Sequence, residues 1–280
     1  MAAVKRYIVA VSGGVDSVVL LDMMRQLPDA QLIVAHFDHG IRPDSAQDAQ
    51  FVERLALAHN LQFETVREEL GPKASEETAR HRRYAFLKRL AEQHNAKLVT
   101  AHHSDDLVET IAINHTRGTG WRGLTPMSGD VLRPLMTMDK AAIKAYASKH
   151  GLQWREDSTN KSEAYLRNRL RRKLAVMPAD EKKVLLELHH KQQRLRKDIE
   201  EEAMKLLGRE DQFSRYFFIH IHETPAMELL RHATKGTLTR PQLQRALFAI
   251  KTAKPRTTYQ AGAGVELHFT PRHFSVELIK

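Results

Sequence analysis

The sequence predicts an α/β protein: a doubly wound parallel sheet followed by a long helix and a small α+β unit. Three observations carry that expectation. The first hundred or so residues alternate short, wholly apolar segments with helical ones, as parallel strands covered on both faces do. A Gly-Gly turn sits between the first apolar segment and the first helix. Beyond about Arg117 the alternation stops, and a long stretch with helical spacing of apolar residues follows Pro178.

Lys5–Val11 (KRYIVAV) reads as the first strand and Val18–Leu27 as the helix after the turn Ser12–Ser17 (SGGVDS). Leu32–Phe37 is the second strand, Ser45–His59 the second helix and Gln62–Val66 the third strand. Ser75–His94 is a long basic helix whose capping box is incomplete, because Thr78 stands where Glu or Gln would complete it. Lys97–Ala101 is a fourth strand and Asp105–His115 a further helix. Residues 117–130 are Gly-rich and loop-like, and Asp139–His150 is again helical. The long helix covers 179–208, with Leu188, Leu195, Ile199, Ala203 and Leu206 as its expected apolar stripe. Helices near Pro225–His232 and Arg240–Ile250 and a hairpin, Val265–Phe269 with Phe274–Ile279, complete the small unit. The expected division is 1–175 for the sheet domain, 176–208 for a helical linker and 209–280 for the small domain.

The chain has 280 residues, an excess of 44 Lys and Arg over 34 Asp and Glu, and no cysteine. The absence of cysteine removes disulfides, thiolate metal sites and thiol nucleophiles, and fits a cytoplasmic setting. No apolar run reaches the roughly 18 residues of a membrane span, and the start lacks the apolar core of a signal peptide. A net charge of +10 favours a polyanionic partner.

SGGVDS is a phosphate cradle on its context. Gly13 and Gly14 allow backbone angles closed to other residues, the next helix turns its positive end to the turn, and Ser12 and Ser17 add hydroxyls. It is not a Walker A loop, whose lysine and GxxxxGK[ST] spacing are missing. Gly118-x-Gly120-x-x-Gly123 matches GxGxxG but follows a helix, and Pro126 spoils a helix after it, so it is a poor dinucleotide fingerprint. The pairs His36/His39 and His102/His103 lack a third ligand and are weak zinc candidates. Asp106 and Glu109, three apart on a helix, share a face just past a strand's carboxyl end, where such sheets bind ligands, and Asp38 ends the second strand at the same rim. Basic residues concentrate in three places. These are Arg80, Arg82 and Arg83 on the third helix; Arg167, Arg169, Arg171, Arg172 and Lys173; and the long helix with Lys182, Lys191, Arg194 and Arg196. Nucleic-acid phosphates are the natural counterpart of such clusters.

SGGVDS resembles the pyrophosphatase loop of the PP-loop ATPases, pattern SGGxDS. Further segments narrow the resemblance: HFDHGIR (36–42) running into PDSAQDAQFV, EETARHRRY (76–84), TAHHSDDLVET (100–110), RGTGWRGL (117–124), LRPL (132–135), REDSTN (155–160) and RNRLR (167–171). Over about residues 5–175, in this order and spacing, the chain is similar to the tRNA(Ile)-lysidine synthetases, and more weakly so from about 200 onward. Its length looks too short for the further C-terminal domain of longer members.

The resemblance implies an adenine nucleotide alpha-hydrolase-like fold and a two-step reaction. ATP adenylates O2 of the wobble cytidine of the isoleucine tRNA with anticodon CAU, releasing pyrophosphate. The ε-amine of free L-lysine then attacks C2 and AMP leaves, giving a base that pairs with A. It implies ATP contacts from Ser12, Gly13, Gly14, Val15, Asp16, Ser17, His36 and Arg117, and a lysine pocket lined by Asp38, Asp106 and Glu109. From the basic clusters, tRNA contacts are expected at Arg80, Arg83, Arg167, Arg171, Lys191 and Arg194, of which the family pattern puts Arg80 and Arg83 nearer the active site, and Mg²⁺ accompanying ATP is expected at Asp16 and Asp105, directly or through water. The family is often dimeric, which leaves a homodimer open. The alternatives are another PP-loop tRNA-modifying ATPase or an amidating one. A thiolase needs persulfide cysteines or an iron–sulfur cluster, which a chain without cysteine does not supply.

Overall fold

A computed structural model describes residues 5–41, 45–71, 74–127, 129–156, 174, 177–208 and 212–279. The chain divides into two compact units, Met1–Gln192 and Gln193–Lys280.

In the first unit β1 (Lys5–Ala10), β2 (Ala30–Asp38), β3 (Gln62–Arg67) and β4 (Lys97–Val99) form one sheet in the order β3-β2-β1-β4, with every pairing parallel. Leu132 adds a parallel bridge beside β4, exchanging backbone hydrogen bonds with Leu98 and Thr100. The strands read as continuous apolar runs because both faces are covered. Successive residues of β1 point to opposite sides: Val9 packs with α1 (Val15–Met24), α2 (Ser45–Ala58) and α5 (Lys140–Lys149), and Ile8 with Phe86, Leu87 and Leu90 of α3 (Glu76–Gln93). α3 is capped by Ser75, whose hydroxyl accepts from the Thr78 N–H at 3.0 Å, and α5 by Asp139, which accepts from Ala142 N–H at 2.7 Å. α4 (Ser104–Thr116) follows β4. α1 begins three residues earlier than the sequence suggests: Val15 to Ser17 of the motif are its first turn.

α6 (Ala179–Leu207) is the expected long helix, and the boundary between the units falls inside it. Its buried stripe differs from the expected one. Ala203 is buried as expected, but Leu195 and Leu206 are half exposed, while His189 is buried and Leu207 packs on the second core. His189 is held inside by a polar anchor, its Nδ1 lying 2.8 Å from the Leu124 carbonyl, which apolar periodicity does not register.

The second unit packs α7 (Arg215–His220), α8 (Glu223–Ala233) and α9 (Arg240–Thr252) with an antiparallel sheet ordered β5-β8-β7-β6. β7 (Val265–Phe269) and β8 (His273–Leu278) are the expected hairpin; β5 (Gln212–Ser214) and β6 (Thr258–Gly262) were not legible as strands. Val265, Leu267 and Phe269 point to the core in strict alternation. Arg215 is buried, and its guanidinium donates to the carbonyls of Ile250, Ala253 and Thr270, so this cation joins α9 to the sheet.

Candidate active site

β1 lies between β2 and β4, so the crossovers leave it in opposite directions. The strand order reverses at the carboxyl ends of β1 and β4, and the crevice expected at such a switch point is the place where doubly wound sheets take ligands. Two segments meet there: the turn after β1 and the segment 100–109 after β4.

The turn after β1 is held open by one side chain. Ser17 is buried; its Oγ accepts from the N–H groups of Ser12 (3.1 Å) and Gly13 (3.2 Å) and donates to the Gly14 carbonyl (2.9 Å). Ser17, read from sequence as a donor to phosphate, therefore shapes the loop, and Ser12 is the exposed hydroxyl. Gly13 has φ +92°, a backbone conformation that residues with a Cβ rarely adopt, and a Cβ there would rest in ordinary contact with the Phe51 ring at 3.4 Å, so it is the backbone that selects glycine. The Gly13 carbonyl accepts from Arg155 N–H at 3.0 Å, and the Arg155 side chain pairs with Asp48 and Gln47 of α2. Asp48 and Arg155 thus buttress the loop. Both lie in segments that carry the family resemblance, but only the fold shows what they do. The loop runs into α1, whose first N–H groups and dipole face the crevice.

Carboxylates come from two elements. Asp16 stands in the first turn of α1. Its two oxygens lie 2.6 and 2.7 Å from the Lys140 ammonium at the start of α5. Asp105, Asp106 and Glu109 stand on α4. Asp106 accepts from the His103 N–H at 3.1 Å, and His103 Nε2 lies 3.5 Å from Asp106 and 3.9 Å from Asp16. His103 therefore bridges the loop carboxylate and the α4 carboxylate, while its Nδ1 is buried without a hydrogen-bond partner among the described residues. Glu109 is 3 % exposed, one turn deeper on the same face as Asp106.

The model of the PP-loop domain matches residues 2–178. The chain belongs to the PP-loop family.

It is 37 % identical over 183 residues to the tRNA(Ile)-lysidine synthase of Thermotoga maritima, covering 61 % of this chain and 44 % of that one. It is 40 % identical over 179 residues to the enzyme of that name from Thermus thermophilus, covering 61 % and 35 %. The chain thus spans less than half the length of these curated relatives. Among solved structures, a U34-tRNA thiolase from Methanococcus maripaludis with a 4Fe–4S cluster superposes with a TM-score of 0.58 at 16 % identity, over 69 % of this chain and 72 % of that one, a likeness of fold.

The remaining expected residues, in the PP-loop domain and on α6, fall into distinct places. His36 is buried at the end of β2, with Nδ1 2.8 Å from the Val11 carbonyl at the start of the loop. Asp38 is buried at the same rim, accepting from the Gly40 N–H and from Arg67 at 2.9 Å each. Arg117 is the exception. It caps the carboxyl end of α4, exposed, about 18 Å along the helix axis from Asp105, so the structure does not gather it with the loop. Arg80 and Arg83 flank the Tyr84 ring on α3, at 5.3 and 5.9 Å from its centre. Lys191 and Arg194 are exposed on α6, whereas Arg196 is held by Glu200 at 2.8 Å. Arg167 and Arg171 lie outside the described residues. Lys182, counted from sequence among the cations facing RNA, instead donates to Asp105 at 2.9 Å.

The donors expected for Mg²⁺ have the right chemistry, hard carboxylate oxygens at partly exposed positions. Both already hold an ammonium. Asp105 has Lys182 on one oxygen and the Lys140 N–H on the other at 2.9 Å each, which makes it the tighter brace. Asp16 is held by the partly exposed Lys140 side chain and, among the described residues, by no backbone N–H on its carboxylate, and is the better fit for a cation.

The electrostatics give a prediction. Burial holds the His36 and His189 rings below the ordinary 6.5, against the carbonyls of Val11 and Leu124 that favour protonation. Burial opposes charge on Asp38 and Asp105 too. There the N–H groups of Gly40 and Lys140, with Arg67 and Lys182, outweigh it and hold both carboxyls below 3.8. All four groups are depressed, so the unfolded chain binds more protons in acid and stability is lost as pH falls. The histidine limb begins below about pH 6.5 and the carboxylate limb below about 3.8. The melting temperature should fall through the first window, and His36→Asn, which keeps a donor for Val11, should shallow it. One ring contributes at most about 1.4 kcal/mol per pH unit. An unchanged acid limb in the variant would remove His36 as its source.

Proposed function

We propose that this chain adenylates the wobble cytidine of a tRNA and then ligates free L-lysine to it, a reading that the name of its relatives, tRNA(Ile)-lysidine synthase, supports. The carrying observation is the meeting of the SGGVDS loop with the Asp106 and Glu109 face of α4 in a region 37–40 % identical to tRNA(Ile)-lysidine synthases. In this reading ATP lies with its β and γ phosphates on the N–H groups of the loop and α1. The cytidine O2 attacks the α phosphorus and pyrophosphate leaves. Mg²⁺ at Asp16 would supply charge neutralisation along the phosphates.

Lysine enters with its ammonium toward Asp106 and Glu109. One carboxylate takes the proton, the freed amine attacks C2, and AMP leaves. Asp38, fixed by Arg67, holds the rim between them. Arg80 and Arg83 and the exposed cations of α6 meet tRNA phosphates, and a cytoplasmic setting follows from the substrate.

The test is mass spectrometry of tRNA digests after incubation with ATP and labelled lysine, with nucleotide products followed in parallel. The expected products are AMP and pyrophosphate with lysine on one cytidine. ADP as the main product would end the PP-loop chemistry. AMP formation without labelled nucleoside would point to a different acceptor or nucleophile at the same loop.

A further inference from the structure

Lys140 takes no part in the chemistry proposed above, yet it makes a close contact with the loop. Its ammonium sits on both oxygens of Asp16, at 2.6 and 2.7 Å. The backbone around it is pinned: Lys140 N–H donates to Asp105 at 2.9 Å, and Asp139 caps the helix it starts. The side chain is 41 % exposed, so its four-carbon stem can swing while its Cα stays fixed. Asp16 is the one acidic residue of the loop, at the mouth of the phosphate cradle.

We propose that Lys140 is an exchangeable counter-ion, holding the cation position of the loop until nucleotide arrives with its own cation. This rests on the reading that the loop binds ATP. Two positive charges on one carboxylate repel, and a small divalent ion needs anionic oxygens in strict octahedral geometry, so ammonium and metal compete for Asp16. The polyphosphate breaks the tie. It offers the displaced ammonium a richer set of anionic oxygens within reach of the same stem, while the metal takes Asp16. Metal and nucleotide are then bound together or hardly at all. The free loop remains neutral at this point and does not gather stray divalent ions.

Mn²⁺ is the probe, measured on the full chain by isothermal titration and by electron paramagnetic resonance, alone and with a non-hydrolysable ATP analogue. For the unaltered chain, Mn²⁺ should bind weakly alone and well with the analogue. In Lys140→Met, Mn²⁺ affinity without nucleotide should rise about tenfold or more, and analogue affinity should fall by a similar factor, so the coupling between the two shrinks. Lys140→Gln provides the same measurement should the methionine variant fold poorly. If Lys140 only stabilises the fold, both variants melt lower and the Mn²⁺ affinity without nucleotide is unchanged, which overturns the proposal. If the unaltered chain binds neither analogue nor Mn²⁺ with it, the ATP reading falls and takes the proposal along; analogue binding with unaltered metal affinities sinks the counter-ion role alone.

Discussion

Glu109→Gln should lower the lysine-dependent rate about ten- to a hundredfold while leaving ATP affinity nearly unchanged. The change keeps the size of the side chain and removes one charge from a position 3 % exposed. A charge-assisted contact to an ammonium is worth about 1.5–3 kcal/mol, which sets the range. Asp106→Asn should act in the same direction, but less cleanly. Asp106 also accepts the His103 N–H at 3.1 Å at the start of α4, so its loss disturbs a helix terminus as well as a pocket. The separating measurement is kcat/KM for lysine at saturating ATP and tRNA, beside ATP binding and thermal melting. Unchanged lysine kinetics in a well-folded Glu109→Gln would take this carboxylate out of the pocket and leave it a buried structural acid.

The larger effect should come from removing the second unit. A chain ending after Gln192 should retain ATP binding and lose tRNA modification altogether. The place of the cut matters. An end near Met177, close to the limit of the sheet domain expected from sequence, would discard Lys182 from Asp105 and His189 from the Leu124 carbonyl, damaging the crevice itself. In the full chain, Lys191→Glu with Arg194→Glu should weaken tRNA binding and flatten its salt dependence, by about 0.7–0.9 in slope for each phosphate that is no longer neutralised. Arg196 is left out because Glu200 already holds it. Filter binding at several salt concentrations, with melting as the folding control, decides the matter. An unchanged salt slope would mean that this face of α6 does not meet RNA.

The parallel sheet, the loop after β1 and the helix after β4 were legible in the sequence because each is a local pattern: apolar strands alternating with helices, glycines where the backbone must turn, two carboxylates three residues apart. Boundaries slipped where local signals are weak, as at α1, which takes in three residues of the motif because Gly14 is already its cap. β5 went unseen because it has three residues and pairs only with the distant β8. β6 adjoins its partner β7 across a two-residue turn, but only Ala261 along it is buried and its register shifts between Gln260 and Gly262, so no apolar alternation marks it.

The sequence by itself determined the residue types at the crevice and the family to which the chain belongs. Which of those residues work on one another was decided by tertiary structure. Asp16 meets Lys140 across 124 positions of sequence, Asp105 meets Lys182 across 77, and Asp48 meets Arg155 across 107. A carboxylate read alone is equally a metal ligand, a cap or half of an ion pair. The choice is made by the cation that the fold brings within hydrogen-bond distance, because the interaction depends on a few ångströms of separation and not on position in the chain.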